Sequence, residues 1–313
     1  MPALNSIRVL AAGLQTTVQD LGRPGYGTIG VSPSGAADRT ALRMGNLLVG
    51  NPETAAALEM TLLGGRFEFR SRGAFALTGS DFGAHLDGKP AEPWSAIDVG
   101  PGQVLNCGAS RDGARGYLCV AGGLQVRPVM GSASTHVASG LGGWHGRALR
   151  EGDEIPIGNS PDSFRPRRVS FKTIEYFAPR KRLRATPGPH FEKFTDAARR
   201  SFFDGAWRVS QQSNRLGLRL EGPALAPAGD IVSTGVCLGT IQVTSAGQPI
   251  ILFVEQQTTG GYPQLACVAS VDHGSIGQLC PSDEASFELI DEGEAVRLLR
   301  EAERRFDAEA PFA

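Results

Sequence analysis

Short apolar runs alternate with turn-forming residues along almost the whole chain. RVLAA, RFEFR, FALTG, GYLCVAGG, WRVS, LRLEG, TIQVT, PIILFVEQ, QLACVAS and SFELI are each a few residues long and bounded by turn formers. They are rich in Val, Ile, Leu and Phe, which predicts many short strands and an all-β barrel or sandwich architecture. Four stretches carry a helical pattern instead. Ser34 stands where it can cap a helix running to about Leu48, with Ala37, Ala41, Met44 and Leu48 on one face. NPETAAALEM offers Asn51 as an N-cap and Pro52 at the first helical position. TDAARRSFFDG has Thr195 as a cap and Gly205 as a stop. In the tail EGEAVRLLREAERRF, Val296, Leu299 and Phe306 form a stripe expected to dock on its own domain.

The pattern weakens between about 158 and 185, where Pro and Arg accumulate without a sustained apolar period. The halves on either side each have their own strands, a Q-T-T and Gly-rich loops. Three segments are expected: a first domain over 1–165, a second over 166–290, and a C-terminal helix or tail over 291–313.

Composition removes several function classes. A net charge of −1 gives no bulk field to attract nucleic acid or an acidic membrane. The five cysteines, at 107, 119, 237, 267 and 280, make no C-x-x-C pair, so they read as reduced thiols rather than a disulfide framework or zinc knuckle. The N-terminal stretch has no long apolar core, so a cytoplasmic location is expected. There is no G-x-x-x-x-G-K-[ST], no H-E-x-x-H, and no pair of histidines at i, i+4; no metal site is expected. GVCLG at 235–239 has the outline of a nucleophile elbow, but TIQVT follows where a helix is required.

What chemistry remains lies in polar clusters. QTTVQDLGRPGYG (15–27) gathers Gln15, Thr16, Thr17, Gln19, Asp20, Arg23 and Tyr26, and QTTGGYP (257–263) repeats the theme with Gln257, Thr258, Thr259 and Tyr262. Gln supplies an acceptor and two donors, and each Thr hydroxyl does both. Glycines let the backbone approach a ligand closely. Arg23 and Arg215 can hold a carboxylate, Asp20 and Asp38 can orient an arginine or take a proton, and Tyr26 and Tyr262 give flat walls. Asn214 and Arg215 precede an apolar strand, where the mouth of a barrel falls. These parts suit a small planar substrate with amide, urea or carboxylate groups; equally, they are the ordinary residues of turns and strand ends. The loop at 131–158 is long and glycine-rich, as lids often are, with Ser132, Ser134, Thr135 and Arg147 as its candidate contacts.

The order of QTTVQDLGRPGYG, SGAADRTALRMGNLLVGN, LEMTLLGG, TGSD, YLCVAGG, GSAST, GGWHGRALREGD, SNRLGLRLEG, STGVCLGTIQV and QQTTGGYP resembles the biotin-dependent carboxyltransferase family. That family includes the C subunit of 5-oxoprolinase, the second subunit of allophanate hydrolase and the carboxyltransferase half of urea carboxylase. The resemblance implies a mainly β fold of two cyclophilin-like β-barrel domains with a few short helices. It implies work in a complex with a KipI-like B subunit and an A subunit, opening the lactam of 5-oxo-L-proline to L-glutamate with ATP. Alternatives within the family are biotin-dependent carboxyl transfer onto urea or a related amide, and a non-catalytic KipA-like regulator that binds a KipI-like kinase inhibitor. On the oxoprolinase reading, the substrate binds between the barrels. Asp20, Arg23, Glu255, Gln257, Thr258 and Thr259 would be catalytic, and Gln15, Thr16, Thr17, Gln19, Tyr26, Asp38, Asn214, Arg215 and Tyr262 substrate-binding. Two departures stand out: Glu255-Gln256 precedes Gln257 where a shorter acid is usual, and CPSDE (280–284) replaces an Arg-Pro-Gly turn. No Met-Lys-Met is present, so any biotin would arrive on another protein.

Overall fold

The structure is a computed structural model that describes residues 5–159, 167–226, 229 and 231–306. It divides into two compact units. Among the described residues, one holds 5–23 and 34–177; the other holds 24–33 and 178–306. The boundary expected at 165/166 lies outside the described residues, as does the end of the tail from 307.

Among the described residues the first unit has eleven strands: β1 (Ser6–Ala11), β2 (Gln15–Gln19), β3 (Ala57–Thr61), β4 (Arg66–Phe69), β5 (Gly73–Gly79), β6 (His85–Leu86), β7 (Lys89–Pro90), β8 (Ala96–Val99), β9 (Val104–Asn106), β10 (Arg115–Val120) and β11 (Glu154–Pro156). They form a six-stranded sheet in the order β11-β1-β4-β9-β6-β7 and a five-stranded sheet in the order β2-β3-β10-β5-β8. Strand alternation assigns the faces. Val18, Leu58, Met60, Phe75, Leu118 and Val120 join Ile7, Val9 and Phe67 in one core, while Ala57, Ala76, Tyr117 and Cys119 turn the other way. That second face is covered by helix α1 (Arg39–Leu48) through Ala41, Leu42 and Leu48. The approach is so close that a Cβ on Gly45 would lie 2.6 Å from Cys119 Sγ and 2.8 Å from Thr78 Oγ1.

Two helix expectations are corrected here. Helix α1 starts at Arg39, not after Ser34, because Asp38 is the cap: its Oδ1 accepts from Ala41 N at 3.0 Å. The residues before it turn instead, Ser34 and Gly35 having φ of 56° and 99°, and side chains of the sheet hold them there, with Ala37 N donating to Glu59 Oε2 and Asp38 N to Tyr117 OH. NPETAAALEM is not a helix. Its second half is β3, paired on both sides and buried on both faces, so tertiary pairing overrides the alanine-rich local preference. Asn51 instead ties strand ends, donating to Val120 O at 2.7 Å and accepting from Gly122 N at 2.9 Å. A short helix α2 (Phe171–Tyr176), capped by Ser170, closes the unit.

The second unit contains β12 (Arg182–Pro187), β13 (Trp207–Val209), β14 (Gly217–Glu221), β15 (Thr234–Gly235), β16 (Thr240–Val243), β17 (Pro249–Leu252), β18 (Thr259–Gly260), β19 (Gln264–Val268) and β20 (Glu284–Leu289). Seven of them close a barrel in the order β12-β19-β16-β17-β14-β13-β20, sealed by the parallel β12–β20 pair; β15 and β18 form a separate ribbon. Helix α3 (Asp196–Asp204) is capped by Thr195 as expected, and its Phe202 stacks on Phe287 with ring centroids 4.5 Å apart. Helix α4 (His273–Gln278) follows β19. In helix α5 (Glu292–Arg304) the stripe docks only at its end: Ala302 and the following Phe306 are buried, whereas Val296 and Leu299 are exposed. Among the described residues no helix is long and apolar enough to cross a membrane.

Candidate functional site

The two Q-T-T stretches fall in different units, and they are built differently. The first is strand β2 itself. Thr16, Thr17 and Gln19 are buried, and their side chains bond inward. Thr16 Oγ1 donates to Ala12 O at 2.6 Å. Gln19 Nε2 donates to Thr17 Oγ1 at 3.0 Å and Thr135 O at 3.1 Å. The Thr135 carbonyl fixes the amide orientation, since a flipped Gln19 would set two acceptors against each other.

Asp20 is the centre of this cluster. Its Oδ1 accepts from Gly22 N (2.8 Å), Ser132 Oγ (2.6 Å) and Ser134 Oγ (2.5 Å), and its Oδ2 from Ala133 N (2.6 Å). Arg23 is buried beside it, donating from Nε to Val129 O at 3.4 Å and from a terminal nitrogen to Ser134 O. Ser132, Ser134 and Thr135 are wholly buried by these contacts, and Arg147 grips Asp153 with two bonds of 2.7 and 2.8 Å. The serine-rich start of the 131–158 loop is therefore pinned to β2 and does not present those side chains as a lid. Asp38, spent on the α1 cap, lies in the same unit.

The chain then leaves for the second unit. Residues 24–33 belong there, carrying Tyr26 and the 3-10 turn Gly27–Ile29. Ser32 Oγ donates to Val254 O at 3.2 Å, and a Cβ on Gly27 would lie 3.9 Å from Thr258 Cγ2. The first motif is thus divided, with Tyr26 delivered to the neighbourhood of the second Q-T-T.

That second stretch is a loop on a rigid base. Arg215 and Glu255 are both buried and paired, Nε to Oε1 at 2.5 Å, and Glu255 N donates to Arg215 O at 2.8 Å. Asn214 Oδ1 accepts from Leu216 N at 2.8 Å, shaping the turn before β14. Above the pair the loop emerges: Gln257 and Thr259 are exposed, Thr258 is half-buried and Tyr262 is 44% exposed. The ribbon fixes its path, through Gly235 paired with Thr259 and Val236 N donating to Thr258 O at 3.1 Å. Gln242 and Gln264 stand beneath it, both buried. Gln242 Oε1 accepts from Gln257 Nε2 at 3.5 Å, Gln242 Nε2 donates to Tyr262 O at 3.2 Å, and Gln264 Nε2 donates to Thr234 Oγ1 at 2.8 Å. A Cβ on Gly260 would sit 2.4 Å from Gln242 Nε2, so the glycine is what lets this amide reach the loop. The arrangement offers amide and hydroxyl groups toward solvent beside an aromatic ring, over a buried ion pair.

The model of the carboxyltransferase domain, subdomain A and B, matches residues 29–289. The chain belongs to this carboxyltransferase family. It is 40% identical over 304 residues to the C subunit of 5-oxoprolinase from Escherichia coli, covering 96% of each chain. It is 31% identical to the urea amidolyase of Saccharomyces cerevisiae, over 90% of this chain but only 16% of that protein. The crystal structure of Kluyveromyces lactis urea amidolyase superposes with a TM-score of 0.90 at 30% identity, covering 97% of this chain and 20% of that one.

For this carboxyltransferase-family chain, sequence reasoning missed Gln242 and Gln264. Gln242 is a polar residue inside the apolar strand TIQV and Gln264 opens the apolar strand QLACV, and a buried amide in such a place must find partners. That oddity was the available signal. Cys237 does not sit on an elbow: β16 follows it, so the strand–turn–helix geometry is absent.

Proposed function

We propose that this chain is the C subunit of a 5-oxoprolinase, acting with a KipI-like B subunit and an A subunit to convert 5-oxo-L-proline to L-glutamate. The observation that carries the reading is the end-to-end match with the 5-oxoprolinase C subunit, 96% of both chains, against the small fraction of the urea enzymes that the chain spans. In the reaction the lactam C–N bond breaks, water oxygen joins the carbonyl carbon and the nitrogen gains a proton. The second Q-T-T loop fits the carbonyl side of that chemistry. Gln257, Thr258 and Thr259 donate to the lactam oxygen, where each well-placed donor is worth about 2.7–4 kcal/mol in the transition state. Tyr262 and Tyr26 wall the apolar ring. Glu255, held by Arg215, positions the loop, and Gln242 sets the Gln257 amide. Asp20 and Arg23 fix the 132–135 segment of the first unit. ATP is assigned to the partner proteins, because the chain offers no phosphate-binding P-loop.

Carboxyl transfer is the second reading, favoured by the family itself and by the TM-score of 0.90 to urea amidolyase. The same amide and hydroxyl groups fit a ureido ring, which presents one carbonyl and two N–H groups; biotin would supply the carboxyl carrier. Reconstitution separates the readings. The A and B subunits should release little glutamate from 5-oxoproline until this chain is added; full release without it defeats the proposal. A complex that carboxylates urea on addition of a biotinylated carrier protein would establish the second.

A further inference from the structure

Two thiols of the second unit play no part in the proposed function, yet the fold brings them together. Cys237 lies in the turn between β15 and β16, and Cys267 lies in β19. Thr240, at the start of β16, is the register partner of Cys267. Thr240 N donates to Cys237 O at 3.1 Å, so the turn folds Cys237 back over that pair. The sulfurs end 3.9 Å apart, with Cys237 exposed and Cys267 half-buried. A disulfide needs about 2.05 Å, so the approach required is under about two ångströms, within reach of small side-chain rotations in a turn flanked by Gly235 and Gly239.

The surroundings make the two sulfurs unequal. Thr240 Oγ1 accepts from Cys237 N at 3.2 Å, which leaves its own proton to point toward Cys237 Sγ at 3.4 Å. Hydrogen bonding from Cys267, opposed by partial burial and aided by Thr240, lowers the Cys237 thiol to about 6. Cys267 is raised, first because its proton is held toward Cys237 and then by burial. Cys107 and Cys119 are buried in the first unit, where burial pushes the Cys107 thiol up to about 12 and the Cys119 thiol up as well. A reactive cysteine needs thiolate character and access together, and Cys237 has both.

We propose that Cys237 and Cys267 form a reversible dithiol–disulfide couple, with Cys237 as the thiol that meets a hydroperoxide and Cys267 as its resolving partner. The Cys237 thiolate attacks one oxygen of hydrogen peroxide, the O–O bond breaks, and Cys237 becomes a sulfenic acid as the departing hydroxide takes up the proton that the thiol gave up and leaves as water. Cys267 sulfur then attacks the sulfenic sulfur, loses its proton, and displaces a second water. The sum is two thiols and one hydrogen peroxide to one disulfide and two waters, with the sulfurs oxidised by the two electrons that reduce the peroxide. This inference stands whether or not the oxoprolinase reading holds.

The test uses the full chain treated with equimolar hydrogen peroxide and mapped by mass spectrometry without reduction. The expected result is one intramolecular Cys237–Cys267 cross-link, removed by dithiothreitol. Cys267→Ser should leave a sulfenic acid on Cys237 that dimedone captures, and Cys237→Ser should give neither product. Oxidation of Cys237 in the native chain to a sulfinic acid with no cross-link, or reaction mainly at Cys280, overturns the proposal. Far-UV spectra of both variants identify any that fail to fold, and for those the native-chain cross-link alone decides.

Discussion

Replacing Asp20 by Asn keeps the shape of the side chain and removes its charge, so it isolates what the carboxylate does. Four donors converge on it, three of them on Oδ1. Hydrogen bonds to an ionised acceptor are roughly twice as strong as neutral ones, whose net worth is about 1 kcal/mol. If the amide oxygen takes the Oδ1 place, three bonds each fall by up to about 1 kcal/mol, and the Ala133 N–H faces an NH2 donor, adding roughly 1–3 kcal/mol. The site is only partly buried, and neighbouring bonds are not additive, so the expected loss is about 2–4 kcal/mol. With a urea slope of about 2 kcal/mol/M, the unfolding midpoint of the first unit should drop by roughly 1–2 M at unchanged slope. Trp94 and Trp144 report on that unit and Trp207 on the other, so phenylalanine at 94 and 144 yields a control reporting only the second. Hydrogen exchange over 129–135 should accelerate in parallel. A midpoint shift below about 0.2 M with unchanged exchange, together with lost activity in the reconstituted complex, would refute the anchoring role and return Asp20 to the chemistry.

Arg215→Met should destabilise the second unit by about 3–5 kcal/mol, because Glu255 is left buried beside an apolar group; adding Glu255→Met should recover most of the loss, as read by Trp207 fluorescence. Gly45→Ala should cost about 1–3 kcal/mol in a thermal melt, even though alanine is the better helix former, since the new methyl meets Cys119 and Thr78. The Arg147 guanidinium, bonded to Asp153, holds that carboxyl below its ordinary value. Its stabilisation is thus present above the usual aspartate range and lost as pH falls through the lowered folded value. The native chain and Asp153→Asn should therefore differ in stability at neutral pH and converge in acid.

Much of the architecture was legible because it depends on short-range pattern. The strand runs, the Thr195 cap and the tail helix follow from alternation, capping and helical spacing, and each reappears in place. Errors arose where a distant partner outvoted local preference. Nothing near ALEM says that β2 and β10 will flank it, and nothing near Ser34 says that Glu59 and Tyr117 will take the N–H groups of Ala37 and Asp38. The polar clusters divide the same way. Residue types suggested a binding surface for both Q-T-T stretches, but exposure is decided by tertiary contacts. The structure buries the first in a strand and lifts the second onto a loop. The thiol pair was invisible, since 30 residues separate its members and only the barrel register joins them.

The excursion of residues 24–33 has a practical meaning for anyone dividing the gene. A polypeptide beginning at 178 would contain every barrel strand and still lack Ser32 and its bond to Val254, as well as the turn that neighbours Thr258. Its amino-terminal complement would carry those residues as an orphaned loop with no body of its own to rest on. Separate production of the halves should therefore yield poorly behaved pieces, while co-expression or supply of a 24–33 peptide to the carboxy-terminal piece should restore a well-folded barrel. The protein is two bodies in space but a single unit of inheritance.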